Sequence, residues 1–391
     1  MRIAGFIRLW HSHRGVGGMQ GHALNLYSGL AARGHEVEVF TTEHPRKGVE
    51  EIDRGVLVRY LKGAADAVYS KEYFALSKQK FLEIHAVKPF DVIHSESRAA
   101  EALLKGPVPV VATWHGISYC GFRDHFNSDL LNGTTAKFQD HIAKGIKDLS
   151  NEIRMFQQYD HHVAISHQAQ DDINSIYWIP KERVSLVING FDTKQFKIDR
   201  AAGLSIRQRH GIPPNAFVIG AGGRLTPEKG HRLLVSVLPQ LIQQSPNIFA
   251  LVVGTGGEQR GYQNLHSSQV ICVGAVPYQE MSSYYNAMNV FANPTTRYGG
   301  LDMVMQEAML CGIPVVASDV GSIKKTLLSL PEYGEVFPLG DKGALASLLI
   351  AQRSGNGKLN AEKINKHISS FATLEHMCAG MEKVFEKVIK K

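Results

Sequence analysis

Short apolar runs of strand length alternate along the chain with longer stretches in which apolar residues recur at helical spacing. The runs of the first half predict strands over Ile3–Trp10, Glu36–Thr41, Asp91–His94, Val108–Trp114, His162–Ile165 and Val184–Ile188. Those of the second half predict strands over Phe217–Ala221, Phe249–Val253, Val270–Val273, Val290–Ala292 and Pro314–Ala317. Helices are predicted between them, over His22–Arg33, Tyr73–His85, Ala136–Tyr159 and Arg232–Gln244. This alternation is typical of repeated βα units around parallel sheets.

The alternation occurs twice, which predicts two domains of the α/β class. We therefore expect two doubly wound, Rossmann-like domains that face each other across a cleft, with residues 1–196 in the first and 197–372 in the second. The remaining residues, 373–391, predict a helix with a basic end that packs back on the first domain. Ligands bind beyond the carboxyl ends of parallel strands, so the cleft is the expected site.

Composition and charge narrow the class of protein. Of the 391 residues, 44% are hydrophobic and 20% are charged, as in globular proteins. The net charge of +7 fits an anionic substrate or weak contact with an anionic membrane surface, and it is too small and too dispersed to indicate nucleic acid. The four cysteines form no Cys-x-x-Cys pair, and we recognise neither a signal peptide nor an apolar run of membrane-spanning length. We expect a cytoplasmic protein.

A glycine-rich turn follows the first predicted strand and precedes a helix. Glycines such as Gly17 and Gly18 let a backbone approach a phosphate closely, and the helix N-terminus supplies free N–H groups. The turn lacks the Gly-Lys-Ser/Thr of a P-loop and departs in spacing from the dinucleotide-binding fingerprint. It is either a phosphate-binding loop or an ordinary βα turn.

Three charged residues of the second half are candidates for binding a nucleotide. Arg224 leaves the end of a predicted strand and Lys229 begins the next helix, so the two cations either clamp a pyrophosphate or are solvated surface charges. Glu307 lies about one turn inside a later helix among apolar residues, where a carboxylate is costly unless it has a partner. It binds a ribose diol, pairs with a buried cation or caps a helix.

His115 is the candidate functional histidine, because it follows a predicted strand at the carboxyl end and precedes Gly116. We find no zinc-like cluster of histidine and cysteine, and no Asp-x-Asp pair of the kind that holds a metal on a nucleotide diphosphate. The sequence therefore predicts no metal site, and cations would neutralise any bound phosphates. No Gly-x-Ser-x-Gly motif indicates a hydrolase.

Together these motifs resemble the retaining glycosyltransferases of family 4, which have the GT-B architecture. In the first half the resemblance rests on Gly17-Gly18, Leu30-x-x-Arg33-Gly34-His35-Glu36-Val37, Trp114-His115-Gly116, His162-Val163-Ala164-Ile165-Ser166, and Asn189-Gly190-Phe191-Asp192 with Phe196. In the second half it rests on Gly223-Arg224, Lys229-Gly230, Val253-Gly254 with Gly256, Asn293-Pro294, and Glu307-Ala308-Met309 through Gly312-x-Pro314-Val315-Val316-Ala317. The resemblance covers nearly the whole chain, and the order and spacing of the motifs are specific.

The resemblance implies a role for each candidate. Gly17 and Gly18 would give backbone N–H groups to the diphosphate of a nucleotide sugar. Arg224 and Lys229 would hold that diphosphate from the other domain, and His115 would sit by the donor sugar. The first domain would then serve the acceptor and the second the donor. Two further positions match contacts with the nucleotide base and ribose, respectively: Val276 and Glu307.

The chain departs from the family at one position. The family usually has two glutamates separated by seven residues, but the position eight before Glu307 is Gly299. The segment resembles a subgroup with a Gly-Leu-Asp loop, which implies donor contacts from Gly299, Gly300 and Leu301. Asp302 would replace the missing acid at the sugar hydroxyls, or it is an N-terminal cap of the helix that carries Glu307.

The implied activity is transfer of a sugar from a UDP- or GDP-sugar to an acceptor hydroxyl, with retained configuration and without a metal or cofactor. The expected partners are the nucleotide sugar and a small-molecule, glycan or lipid-linked acceptor, with peripheral membrane contact and no nucleic acid. Two alternatives remain: a nucleotide-sugar epimerase of the same architecture, and a sugar-nucleotide-binding protein without turnover. Residues 118–150 either shape the acceptor site or form a packed helix with a surface loop.

Overall fold

The computed structural model describes residues 1–13, 17–121, 123, 138–299, 301–326, 333–354 and 360–390. The chain divides into two compact units. The first comprises Met1–Ser118, Lys144–Phe191 and Ala372–Lys391, and the second comprises Tyr119–Ala143 and Asp192–Phe371. The first unit thus differs from the range 1–196 expected from the sequence, because Tyr119–Ala143 groups with the second.

Each unit contains one sheet. Within the described residues, the first sheet consists of β1 Arg2–Phe6, β2 Glu36–Thr42, β3 Glu50–Asp53, β4 Val56–Leu61, β5 Val92–Glu96, β6 Val110–Trp114, β7 His161–Ala164 and β8 Val184–Leu186, in the order β3-β4-β2-β1-β5-β6-β7-β8. The second consists of β9 Phe217–Gly222, β10 Ile248–Val253, β11 Val270–Gly274, β12 Val290–Asn293, β13 Val315–Ser318 and β14 Gly334–Phe337, in the order β11-β10-β9-β12-β13-β14. All neighbouring strands are parallel except β3 and β4.

Helices connect most of these strands, as the sequence predicts. In chain order the α-helices of the described residues are α1 Gly18–Ala32, α2 Lys71–Val87, α3 Phe138–Phe156, α4 His167–Ser175, α5 Arg200–Arg209, α6 His231–Gln244, α7 Gln259–Gln263, α8 Met281–Asn286, α9 Met303–Leu310, α10 Ile323–Thr326, α11 Lys342–Ser354, α12 Ala361–Ser369 and α13 Leu374–Ile389. None of these helices is long and apolar enough to cross a bilayer. The α/β class with two parallel sheets is confirmed.

Both faces of the first sheet are covered, as in a doubly wound fold. Successive side chains of a strand point to opposite faces. On one face Ile3 lies in a buried cluster with Leu26 of α1. On the other, the rings of Phe6 and Phe40 stack with centroids 4.7 Å apart, and Phe81 of α2 packs against Phe6 at 6.1 Å. Helices therefore cover a largely parallel sheet on both faces. The ends of the strands are then its polar edge.

The last helix, α13, belongs to the core of the first unit. Its residues Met381 and Phe385 are fully buried in the same cluster as Ile3. Gly29 of α1 permits a close approach, because a Cβ atom at that position would lie 2.5 Å from the Sγ atom of Cys378. The C-terminal segment is thus part of the packing that holds α1 against the sheet.

Three strands of the described residues were not predicted, and three predicted strands, β1, β7 and β8, end earlier than expected, β1 by the most. β3 and β4 form a hairpin whose turn is Arg54-Gly55, with φ values of 50° and 82°; the third is β14. β1 ends at Phe6 and not at Trp10, because the chain then turns and the N–H of His13 donates to the carbonyl of Trp10 at 3.1 Å. The predicted strand was therefore too long at its carboxyl end.

Candidate active site

The glycine-rich turn of the first unit leads directly into α1. Gly17 precedes the helix with φ −93° and ψ 169°, and Gly18 is its first residue. The carbonyl of Gly17 accepts a hydrogen bond from the N–H of Gly21 at 2.9 Å, which starts the helical ladder. Residues 14–16, the remainder of the turn, lie outside the described residues. A phosphate-binding role for Gly17 and Gly18 stays a prediction.

His115 takes part in a buried polar network of the first unit. It follows β6, and its Nε2 atom lies 2.5 Å from Oε2 of Glu96, the last residue of the neighbouring strand β5. The other carboxylate oxygen, Oε1, lies 3.7 Å from Nε2 of His22 on α1. The Nδ1 atom of His22 is 3.0 Å from Oδ1 of Asn189. Three elements thus bring two imidazoles to one carboxylate.

Burial dominates the electrostatics of this network. The side chain of Glu96 is 0% exposed and that of His22 is 1% exposed. Burial penalises the charged form of each group. It raises the pKa of Glu96 to about 7 and lowers the pKa of His22 to about 4. At neutral pH His22 is therefore an uncharged imidazole, and Glu96 is close to its point of half-ionisation.

His22, Glu96 and His115 also offer donor atoms of the kind that bind metal ions. These atoms all lie within 4.8 Å of one another. The contact between Glu96 and His115 is nevertheless a direct hydrogen bond, so we interpret the group as a hydrogen-bonded network. Neither Glu96 nor His22 was a candidate from the sequence. An acid at the end of β5, beside the strand that leads to His115, was the signal that could have identified Glu96.

In the second unit, the two candidate cations have very different surroundings. Arg224 follows β9 after Gly223, whose φ is 94°, and its side chain is 65% exposed with Glu228 at 3.7 Å. Lys229 lies in a short 3-10 turn just before α6, and its side chain is only 11% exposed. The Nζ atom of Lys229 donates to Oδ1 of Asp302. Of the two alternatives for these cations, that of a solvated surface charge is thus wrong for Lys229.

Asp302 is the centre of a buried ion-pair cluster. Its side chain is 5% exposed, and Nη1 of Arg297 lies 3.6 Å from the same oxygen that Lys229 contacts. Burial opposes ionisation of Asp302, but the charges of Lys229 and Arg297 outweigh it and lower the pKa of the carboxyl to about 2. Burial in turn lowers the pKa of Lys229, and Asp302 opposes that shift.

The same contacts decide what the Asp302 side chain does locally. Asp302 occupies the N-cap position of α9, but its side chain makes no cap hydrogen bond to the helix. By contrast, the side chain of Asp199 accepts a hydrogen bond from the N–H of Ala202 at the start of α5. The carboxylate of Asp302 is therefore an ion-pair partner of Lys229 and not a helix cap.

Glu307 lies on the buried side of α9. It is 4% exposed, and its Oε2 atom accepts a hydrogen bond from the phenol of Tyr285 at 2.7 Å. Burial raises the pKa of Glu307 to about 7, although the bond from Tyr285 opposes the shift. Its described partner is thus a phenol and not a cation, and its position inside α9 excludes an N-terminal cap.

The remaining donor-loop candidates are only partly described. Gly299 approaches Cys120 so closely that a Cβ atom would lie 2.5 Å from the Cβ of that cysteine, and Leu301 is 5% exposed. Gly300 lies outside the described residues. Val276 is half-buried in the loop that follows β11. The structure thus brings Asp302 to Lys229, while the donor contacts of Gly299, Leu301 and Val276 stay predictions.

Two family models match the chain in succession. The model described as Glycosyltransferase Family 4 matches residues 16–195, and the model described as Glycosyl transferases group 1 matches residues 216–351. Together they cover most of both units. The chain belongs to glycosyltransferase family 4. This confirms the family that the motifs indicated, and the protein is a glycosyltransferase.

Relatives with assigned activities come from several bacteria. A GDP-mannose-dependent monoacylated alpha-(1-6)-phosphatidylinositol monomannoside mannosyltransferase of Corynebacterium glutamicum is 34% identical over 172 residues. That match covers 41% of this chain and 45% of the relative, so less than half of either protein is compared. A D-inositol 3-phosphate glycosyltransferase of Jonesia denitrificans is 27% identical over 355 residues, which cover 81% of this chain and 80% of the relative.

Solved structures of the same fold match the glycosyltransferase along its whole length. Sucrose-phosphate synthase from Thermosynechococcus elongatus has a TM-score of 0.80 at 20% identity and covers 100% of this chain and 99% of its own. HepE of Anabaena, solved in complex with UDP and glucose, has a TM-score of 0.73 at 19% identity and covers 99% of both chains. At this identity the likeness shows the fold alone, which is the GT-B arrangement of two Rossmann-like domains.

Proposed function

We propose that this glycosyltransferase moves a sugar from a UDP- or GDP-sugar to an acceptor hydroxyl with retention of anomeric configuration, and that it needs no metal or cofactor. The observation that carries the proposal is the cationic cluster of the second unit. Lys229 and Arg297 surround Asp302 in a buried site, and the exposed Arg224 follows β9 five residues before Lys229 in the sequence. Such a group can neutralise a diphosphate without a divalent ion.

The proposed chemistry is stabilisation of a leaving diphosphate. As the bond between the anomeric carbon and the phosphate oxygen breaks, negative charge develops on that oxygen, and Arg224 and Lys229 would stabilise it. The acceptor oxygen forms the new bond on the same face of the sugar, and its proton passes to the leaving phosphate. Orientation of the acceptor hydroxyl against the anomeric carbon contributes the remainder of the rate enhancement. His115 keeps the role that the resemblance implies, which is contact with the donor sugar.

The nature of donor and acceptor is supported by the relatives. The Corynebacterium relative is named for GDP-mannose and a phosphatidylinositol mannoside, the Jonesia relative for inositol phosphate, and the HepE structure contains UDP with glucose. We therefore propose a nucleotide hexose as donor and a small-molecule, glycan or lipid-linked acceptor. Peripheral contact with an anionic membrane is consistent with the net charge of +7.

Thermal shift with nucleoside diphosphates tests the donor site first. A ligand that binds the folded state at 100 times its Kd stabilises the protein by about 2.7 kcal/mol. We expect UDP or GDP to raise Tm in the wild type and much less in Arg224→Ala. Arg232→Ala is the matched control, since Arg232 is an equally exposed cation nearby that pairs with Glu258 at 2.8 Å.

Product analysis then separates the activity from its alternatives. When the nucleoside diphosphate that raises Tm is supplied as its nucleotide sugar, we expect a glycosylated acceptor in which the transferred sugar keeps its anomeric configuration. An altered nucleotide sugar without transfer would identify an epimerase, and binding without any product in a broad acceptor screen would identify a binding protein. Product of inverted configuration would contradict the proposed mechanism.

A further inference from the structure

The carboxylate of Glu96 lies between two imidazoles in the interior of the first unit. Its Oε2 atom is 2.5 Å from Nε2 of His115, and its Oε1 atom is 3.7 Å from Nε2 of His22. Neither Oε1 of Glu96 nor Nε2 of His22 has a hydrogen-bond partner among the described residues. Among the described residues, the carboxylate is thus hydrogen-bonded through Oε2 alone. Its partner is His115, the histidine that the family resemblance places by the donor sugar.

The tautomer of His22 follows from the contact of its Nδ1 atom. Its Nδ1 atom lies 3.0 Å from Oδ1 of Asn189, a carbonyl-type oxygen that can only accept, so Nδ1 carries the proton. In the neutral imidazole Nε2 then holds a lone pair and faces the Oε1 atom of Glu96. His22 cannot donate to an ionised Glu96, and the donor that the carboxylate receives on Oε2 is therefore His115 Nε2–H.

Among the described residues, the ion-pair contacts of the Glu96 carboxylate are with histidines, and none is with lysine or arginine. Nδ1 of His94 lies 3.9 Å from Oε1, but it is also 2.8 Å from the phenol oxygen of Tyr27, with which it shares a hydrogen bond. Burial lowers the pKa of His94 well below its usual value. The titratable groups that face Glu96 from α1, β5, the end of β6 and the segment before α2 are His22, Tyr27, His94, His115 and Tyr69.

Packing alone does not explain a carboxylate at this position. The side chain of Glu96 is 0% exposed, and a buried acid without a cationic partner destabilises a fold relative to an apolar residue of similar volume. An ionised carboxylate can only accept hydrogen bonds, so its contact with Nε2 of His115 requires the proton to be on that nitrogen. This is the arrangement by which buried carboxylates fix the tautomer and orientation of catalytic histidines in other enzymes.

We propose that Glu96 is a positioning residue, which holds His115 in the Nε2–H tautomer and in a fixed ring orientation, and that the bare Nε2 of His22 keeps the Oε1 side of Glu96 free of a competing donor. The inference rests on the proposed function in one respect, the contact of His115 with the donor sugar. It assigns a role to two residues that no motif identified. It also explains why α1, which begins at the glycine-rich turn, carries a buried histidine.

Two substitutions of Glu96 separate positioning from folding. In Glu96→Gln the amide NH2 can donate to the bare Nε2 of His22, which leaves the amide oxygen to accept from His115, so the tautomer of His115 should persist. In Glu96→Leu the Nε2 atom of His115 loses the Glu96 carboxylate as its acceptor, while the side-chain volume is roughly kept. We expect Glu96→Leu to lower kcat at least tenfold below that of Glu96→Gln, with equal binding of the bare nucleoside diphosphate and no loss of Tm.

Nitrogen-15 NMR of the labelled histidines supplies a readout that a structural role would not move. At about pH 8.5, above the pKa of about 7 at which Glu96 ionises, we expect the Nε2–H form of His115 in the wild type and in Glu96→Gln, and a mixture of tautomers in Glu96→Leu. Glu152→Gln is the matched control. Glu152 is a half-buried acid of the same unit whose pKa is also raised by burial, but its carboxylate accepts from Tyr177 and from the N–H of Ser118. It should leave the tautomer and kcat unchanged.

The outcomes distinguish this inference from the proposed function. If the wild type transfers no sugar to any acceptor but the tautomer still depends on Glu96, the proposed function fails and the positioning role stands. If Glu96→Leu keeps the wild-type tautomer and kcat, the positioning role is wrong. A rise in Tm with zinc ions that His22→Ala abolishes would overturn it as well, because the three side chains would then form a metal site.

Discussion

The ion pair between Lys229 and Asp302 predicts a specific loss of stability in Asp302→Asn. The substitution keeps the shape of the side chain but removes its charge, so Lys229 and Arg297 face a neutral amide in a site where Lys229 is only 11% exposed. The pKa of Asp302 falls from 3.8 to about 2 in the folded protein. At about 1.4 kcal/mol per pKa unit, this shift corresponds to about 2 kcal/mol of stability. Removal of one member of a buried pair costs on the order of 3–5 kcal/mol.

We therefore expect Asp302→Asn to lose about 2–4 kcal/mol of unfolding free energy at pH 7, as measured by urea denaturation. A group with a depressed folded-state pKa stabilises the protein above its unfolded pKa and loses that contribution as the pH falls through its folded pKa. The difference between wild type and variant should accordingly be full at pH 5 and above. It should fall to about half at pH 3, between the unfolded pKa of 3.8 and the folded pKa of about 2.

Asp199→Asn is the matched control for this experiment. Asp199 is a true N-cap of α5, since its side chain accepts from Ala202. Asparagine caps a helix about as well as aspartate, so this variant should change stability by less than about 0.5 kcal/mol. If Asp302→Asn is as stable as Asp199→Asn at pH 7, or if its deficit does not change between pH 7 and pH 3, the buried pair is not the source of the stability and our reasoning fails.

Three further predictions concern the proposed donor site. Glu307→Gln should weaken nucleotide binding in calorimetry if the carboxylate binds the ribose. In the wild type we also expect the free energy of unfolding to fall by about 3 kcal/mol as the pH rises from 4.5 to about 7, because over this range the folded protein keeps a proton on Glu307 that the unfolded chain has released. Glu307→Gln should abolish this pH dependence. Unchanged affinity with a changed pH profile would leave only the structural role. Arg224→Ala should lower kcat/KM, with a loss of about 2–4 kcal/mol of transition-state stabilisation. Its Tm should not change, because the side chain is 65% exposed. Turnover equal to that of Arg232→Ala would contradict the assignment of Arg224 to the diphosphate site. Activity should survive EDTA, and a loss that magnesium restores would count against neutralisation of the diphosphate by protein cations.

Local signals in the sequence predicted the repeated βα units well and the hairpin poorly. Parallel strands buried on both faces have continuous apolar runs, and β9 and β10 were recognisable for that reason. β3 has the sequence Glu-Glu-Ile-Asp, with Ile52 80% exposed, so no apolar run marks it. The Arg54-Gly55 turn was its only local signal.

The candidate site shows the same division between local and distant information. Arg224 and Lys229 could be identified because each lies at a strand end or helix start within a short motif. The partner of Lys229, however, is Asp302, which is 73 residues away in the chain. His22 and Asn189 are separated by 167 residues. Such pairs are formed by the tertiary fold, so a single sequence could not reveal that Lys229 is buried against Asp302 or that His22 lies against Asn189.

The two acids of α9 show how the fold assigns different tasks to similar groups. Asp302 and Glu307 are almost equally buried, at 5% and 4% exposed, but their pKa values are about 2 and about 7. The difference comes from their neighbours, two cations for Asp302 and a phenol for Glu307. Environments that move the pKa values of neighbouring acids apart are typical of functional sites.

At neutral pH this difference has a direct consequence for the proposed donor site. Asp302 is fully ionised and already neutralises part of the charge of Lys229, so a diphosphate that binds Lys229 must compete with a carboxylate that the fold has placed there. If the donor diphosphate binds Lys229 as proposed, we expect Asp302 to be released from one of its two cations, so that its oxygen can accept hydrogen bonds from hydroxyl groups. Glu307, half-ionised near pH 7, can both accept from and donate to a ribose diol. On the proposed function, the ion pair of the free protein would couple occupancy of the diphosphate site to the availability of Asp302, which is the property expected of an acid that contacts a donor sugar only when the nucleotide is bound.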